Sequence, residues 1–193
     1  MSLSRLGLAG IAISAGAVLL MCGCGGSNQQ SAQPAQPTQP AVDPQAVGEA
    51  PKVGPVTPGS GEGRTQAFRV EFSHPAGAAV INDVQFLVAE KMTPSGAGTC
   101  WIEVNAMKTV AVRKDDGSVF MSPVAIGSAG AAANASCSVD AAGVKVESSG
   151  PNLALTLPVT FAAGFKGPKK VWAIASGPKQ HSGWQMRGDW TAN

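Results

Sequence analysis

From Thr65 onward the chain alternates apolar and polar residues in short runs, the period-two pattern of strands with one face in a core. Phe68, Val70 and Phe72 alternate with Arg69, Glu71 and Ser73. Val84, Phe86 and Val88 share one face of the run from Val80 to Glu90, and Cys100, Ile102 and Val104 alternate with Trp101 and Glu103. Val110 to Val112 meets Lys114-Asp115-Asp116-Gly117-Ser118, an Asp-Gly hairpin signal, and Val119-Phe120-Met121 is expected to return from it. Val144 to Glu147 reads as a short strand. Leu153, Leu155, Leu157, Val159 and Phe161 form the clearest one, in which Pro158 argues for an edge or a bulge. Lys170 to Ala175 and Gly188 to Thr191 complete the series. No segment has helical periodicity, so the pattern predicts an all-β, antiparallel β-sandwich of about seven to nine strands over residues 65–193.

The preceding residues follow no such pattern. Between Gly25 and Arg64 the chain is rich in Gln, Pro and Gly, holds seven of the 14 prolines and has no aromatic residue. Such a stretch cannot bury enough apolar surface to offset its chain entropy, and residues 24–64 are expected to be a disordered tether with polyproline II character. The first residues differ again. Arg5 is followed by an uncharged run from Leu6 to Met21, too short for a comfortable membrane span and with no cation after it to stop transfer. Residues 1–23 therefore read as a secretory signal peptide.

That signal ends Leu19-Leu20-Met21-Cys22-Gly23-Cys24. Leucines, a small residue and then Cys resemble the lipobox of bacterial lipoprotein precursors, where a peptidase cuts before a Cys whose sulfur carries a diacylglycerol. Cys24, with Gly23 before it, fits that pattern better than Cys22, which follows the bulky Met21, although Cys22 stays open. The resemblance implies an acylated Cys and a cell-envelope location facing the periplasm or exterior, at the outer membrane if the cell has one. Multiple acyl chains anchor firmly, at about 0.8 kcal/mol per buried CH₂.

Composition narrows the function. With 14 Lys and Arg against 12 Asp and Glu, the chain lacks the basic stripe of a nucleic-acid binder. In an oxidising compartment Cys100 in one strand and Cys137 just before another are expected to form a disulfide, closing a loop of about 38 residues. A zinc pair is the rival, but His74 and His181 lack metal-ligand spacing to either Cys, and neither metal nor cofactor is expected. There is no G-x-S-x-G; Gly127-Ser128-Ala129-Gly130 reads as a flexible loop, adjacent His181-Ser182 as no dyad, and Asp115-Asp116 as a turn. Nine acids between Glu71 and Asp189 leave open a pairing in space that sequence does not locate. The expectation is a non-enzymatic protein, with a cryptic hydrolase as the less favoured alternative.

Binding is the more open possibility. Trp101 points off the apolar face of its strand, and Trp184 and Trp190 stand in a polar tail with Gln185 and Arg187. Exposed indoles beside amides and Arg would suit envelope polysaccharide or an envelope protein, the latter making the chain an accessory subunit of a complex. Alternatively Trp172, Trp184 and Trp190 plug the core of a domain with only four Trp, six Phe and no Tyr.

The order of these residues also resembles an Ig-like β-sandwich module that recurs in secreted and surface bacterial proteins. The matching positions run from Phe68, Val70, Phe72 and Pro75 through Cys100, Cys137, Leu153, Leu155, Leu157 and Phe161 to Phe165, Gly183, Trp184 and Trp190. The resemblance implies an Ig-like sandwich and the disulfide, and no activity. One departure is Ser73-His74-Pro75-Ala76-Gly77, where the module has an acidic Asp-Pro turn; a calcium site there would lose its ligands.

Overall fold

The computed structural model describes residues 45–93 and 95–193. Cys22, Cys24, the signal segment and the Gln/Pro-rich start of the tether lie outside the described residues. The fold is all-β, two sheets packed face to face. One sheet has the order β1 (Lys52–Thr57), β3 (Thr65–Ser73), β11 (Asn152–Phe161), β9 (Cys137–Asp140), β8 (Ala131–Ala133), with β10 (Lys145–Ser149) also on β11. The other runs β2 (Ser60–Glu62), β13 (Gln185–Ala192), β12 (Gly167–Ser176), β4 (Asp83–Ala89), β5 (Cys100–Asn105), β6 (Thr109–Val112), β7 (Val124–Ala125). Every pairing is antiparallel except β2 with β13.

The alternating runs become the inner faces. Phe68, Val70 and Phe72 on β3 pack with Leu153, Leu155, Leu157, Val159 and Phe161 on β11, facing Val84, Phe86, Val88, Ile102 and Val104 of the other sheet. The disulfide joins Cys100 on β5 to Cys137 on β9, so it crosses from sheet to sheet, with both residues buried and their Cα atoms 5.4 Å apart.

Four expectations need correction. The tether does not extend to Arg64: β1 and β2 belong to the sandwich. β1 is an edge strand with only Val53 and Val56 buried, and Pro55 falls in the register shift between them, where an edge tolerates proline. Gly61 of β2 lies against the Trp190 ring, where a Cβ would come within 2.6 Å. Secondly, Pro158 does not mark an edge, because β11 is the most fully paired strand of its sheet. Phe161 N–H points toward the β3 side, onto Arg64 O, so the even-numbered N–H positions face the opposite side. There Pro158 falls between the end of the β10 pairing at Thr156 and the start of the β9 pairing at Val159, where no ladder bond is lost. Thirdly, the Asp-Gly turn forms, but the returning segment makes one bridge, Arg113 with Phe120, before β7 takes over beside β6. Gly117, at φ +73°, would place a Cβ on the Ser95 carbonyl. Lastly, the loop at Gly127 to Gly130 is tied down by Gly127 N–H to Ala141 O and leads into β8.

His74 stands at the turn that follows β3. It is fully buried, its Nδ1 accepts from Ala76 N–H at 3.1 Å, and its Nε2 lies 3.0 Å from Glu49 O, so Nε2 carries the hydrogen and donates. The imidazole thus closes the turn as an Asp would and also ties the entering chain to the sandwich.

Because the disulfide closes a 37-residue separation across both sheets, the Cys100→Ser/Cys137→Ser double variant should lose about 2–5 kcal/mol in urea unfolding. Reductant should shift the wild type toward the variant and leave the variant unchanged.

Candidate functional site

The outer face of the seven-stranded sheet is the unusual surface. On β12 the core takes the small residues Val171, Ala173 and Ala175, while Trp172 and Ile174 point outward and are half-buried. Pairing registers extend this across the sheet. Met186, Trp172, Leu87, Trp101 and Arg113 form one row, and Ile174, Gln85, Glu103 and Ala111 the next. Leu87 is 1% exposed yet stands outside the inter-sheet core, flanked in register by the indoles of Trp172 and Trp101. Met186, beside Trp172, is 54% exposed.

Trp101 organises this face. Its Nε1–H donates to Gln85 Oε1 at 2.8 Å, and the Arg113 guanidinium lies 4.2 Å from the ring centroid. Phe120 packs edge-on at 6.1 Å and Trp184 edge-on at 5.4 Å. The Trp184 contact is non-local: β13 and β5 are separated in the sheet by β12 and β4, and the loop between β12 and β13 lays the ring back across the face. Arg113 also donates from Nε to Gly117 O at 2.7 Å, so it is held at both ends.

Two acids lie next to these rings. Gln85 Nε2 donates to Asp83 Oδ2 at 3.1 Å, and Ser176 Oγ lies at its limit, 3.5 Å. Asp83 Oδ1 is buried with no donor. Burial pushes the Asp83 carboxyl above its usual range, against the Gln85, Ser176 and Glu103 hydrogen bonds, which favour its charged form. Glu103, diagonal to it on β5, is also pushed up, first by burial and then by the Asp83 charge and hydrogen bond, with Arg113 opposing. The charged forms of Asp83 and Glu103 thus disfavour one another in a partly buried setting.

The sequence-based candidates divide. Trp101 and Trp184 are brought together. Trp190 is 4% exposed: it packs 5.1 Å from Phe68 and donates from Nε1 to Gly63 O at 3.0 Å, so it is core and not binding surface. Arg187 is spent on carbonyls of β1, donating from Nε to Gly54 O and from Nη2 to Val53 O, which satisfies the strand where it bulges. Gln185 pairs with buried Ala173 and so faces the inner side of the sandwich end. Trp172, Gln85, Asp83, Glu103, Arg113 and Met186 are new members. The outward Trp172 could be read from the alternation of Val171, Ala173 and Ala175; the others depend on strand order.

A groove of about 600 Å³ lies elsewhere, on the outer face of the six-stranded sheet over Gly54, Glu71, Asn152 and Ala154. Arg69 there pairs with both Glu71 and Glu147, all well exposed, and such pairs contribute little; Lys52 also lines the groove. Among the described residues no group of three or more His, Cys, Asp or Glu could hold a metal ion, and no helix is long and apolar enough to cross a membrane. The chain matches no protein-family model, no curated protein and no solved structure.

Two outcomes follow from this geometry. Trp190→Ala should cost about 3–5 kcal/mol and Trp184→Ala about 1 kcal/mol, read from denaturant midpoints. For the acid pair, the folded chain keeps a proton that the unfolded chain has lost, between the usual carboxylate range and the raised one. Stability contributed by the pair is therefore present on the acid side and falls as pH rises through that window. Glu103→Gln should flatten this dependence and raise Tm at pH 7–8, by about 2–4 °C per kcal/mol relieved. A lower Tm in the variant at pH 7 would mean that attraction to Arg113 outweighs the burial.

Proposed function

We propose that this protein is a non-enzymatic component of the cell envelope, anchored by a lipid on Cys24. It presents the tryptophan-bearing face of an Ig-like sandwich module to a ligand. The observation that carries the binding reading is the inverted alternation of β12: large apolar residues point away from the core, onto the sheet face that also carries the Trp101–Trp184 contact. Contiguous apolar patches with polar neighbours on a small protein mark contact sites. The anchor reading rests on the lipobox resemblance, the envelope location on the same signal, and the module on the ordered match from Phe68 to Trp190.

The rival chemistry is a paired-acid hydrolase, because Asp83 and Glu103 share a site. Asp83 Oδ1 is sealed from solvent and Oδ2 is held by Gln85 and Ser176, so no reacting group reaches both carboxyls.

In cells, Cys24→Ala should abolish incorporation of labelled palmitate and release the chain from the membrane fraction. Retained label would move the anchor to Cys22, and release without any label in the wild type would leave only a cleaved signal. For the face, a photo-crosslinker at position 186 should capture envelope material in intact cells, and capture should fall in Trp184→Ala. Equal capture in both would remove this face from the function.

A further inference from the structure

Resting on the reading of this face as a binding surface, we infer that its ligand is a neutral saccharide, stacked on Trp172 and Trp184 with its hydroxyls donating to Glu103. The inference comes from which polar groups on the face are already satisfied and which are not. Two cations of this face are engaged: Arg113 is stacked on Trp101 and bonded to Gly117 O, and Lys170 is paired with Asp189. Neither is left free to hold a phosphate, a uronate or a nucleic-acid backbone.

What remains is a shortage of hydrogen-bond donors. Gln85 uses Oε1 to accept from Trp101 and Nε2 to donate to Asp83. Glu103 stands opposite Gln85 and diagonal to Asp83, and among the described residues no N–H group donates to its carboxyl. The face thus presents a half-buried carboxyl needing donors, with part-exposed indoles in the neighbouring rows. A sugar ring supplies both complements: C–H bonds for the indole face and several O–H donors for an acceptor. A cationic peptide would meet the same carboxyls, but it would bring a full charge that has to be desolvated beside the indoles and buried Leu87. A neutral donor carries no such desolvation cost.

The fold keeps these parts rigid. Trp101 is fixed by a hydrogen bond, a guanidinium and two ring contacts, and Leu87 fills the floor between it and Trp172. Only Trp184 comes from a loop. Little side-chain freedom is then left to lose on binding.

The test uses the full chain solubilised in detergent and the quenching of its indole fluorescence. Cellotetraose, chitotetraose, mannotetraose and arabinotetraose are the neutral probes, and a heparin-derived tetrasaccharide is the anionic one. At least one neutral probe should give saturable quenching that the heparin fragment does not. Trp184→Ala and Trp172→Ala should each weaken it at least about tenfold, a loss of about 1.4 kcal/mol. Glu103→Gln should weaken it severalfold while leaving a cooperative thermal transition, and Arg69→Ala on the opposite sheet should leave it unchanged. No saturable response to any neutral probe, preference for the heparin fragment, or indifference to both Trp variants would overturn the inference. If no sugar binds while the crosslinker at position 186 captures one protein in a Trp184-dependent way, the face stands and its ligand is a protein. If neither occurs, both readings fall.

Discussion

The two sheets meet at Phe68. Its ring, fully buried on β3, lies 5.2 Å from Phe86 and 5.1 Å from Trp190 of the opposite sheet and 6.4 Å from Phe161 of its own. A chain with six Phe, four Trp and no Tyr cannot spread large rings evenly through a core. It concentrates them here, and Phe165 extends the stack from Phe161 at 5.7 Å. Close packing at constant density then calls for small partners elsewhere, and β12 gives the core only Val171, Ala173 and Ala175. The large residues of that strand go to the other side. The outward patch around Trp172 is thus the counterpart of a core whose aromatic volume is already committed around Phe68.

What could be read from the sequence follows from the same physics. Five apolar residues in strict alternation from Leu153 to Phe161 admit no other reading, and every one is buried. The Cys pair was legible because each residue sat at a strand and the signal-like N-terminal pattern led one to expect an oxidising compartment. β1 was not legible: two buried valines separated by Gly54 and Pro55 carry too weak a period, and the strand exists because β3 offers an edge. Pro158 misled because its meaning depends on where two neighbouring strands stop and start, which no local window contains. The site was half legible. Trp101 and Trp184 stood out by composition, but Trp190 looked the same in sequence and differs only in that the β2 turn, through Gly61 and Gly63, folds over it. Asp83, Gln85 and Glu103 meet through the pairing of β4 with β5, so their network is a property of register.

The acids carry the remaining weight. Asp83 costs the fold stability: it is largely buried, one oxygen lacks a donor, and its neighbour is another carboxyl. Asn at this position would keep the Gln85 contact and remove the repulsion. Groups that oppose folding in this way are the ones a site requires and a scaffold does not.

The chain's entry point reinforces that reading. The residues just before β1 are held by His74 at Glu49 and by Gln180 Nε2 donating to Gly48 O. Gln180 belongs to the loop between β12 and β13, closed by Gly177 N–H to Gln180 O and by the bridge of Ser176 with His181. That loop ends at Trp184. The segment reaching back toward the N-terminus therefore braces the loop that lays an indole across the sheet. The entry segment and the loop that carries Trp184 are thus fixed by one set of contacts, which also reaches the buried His74.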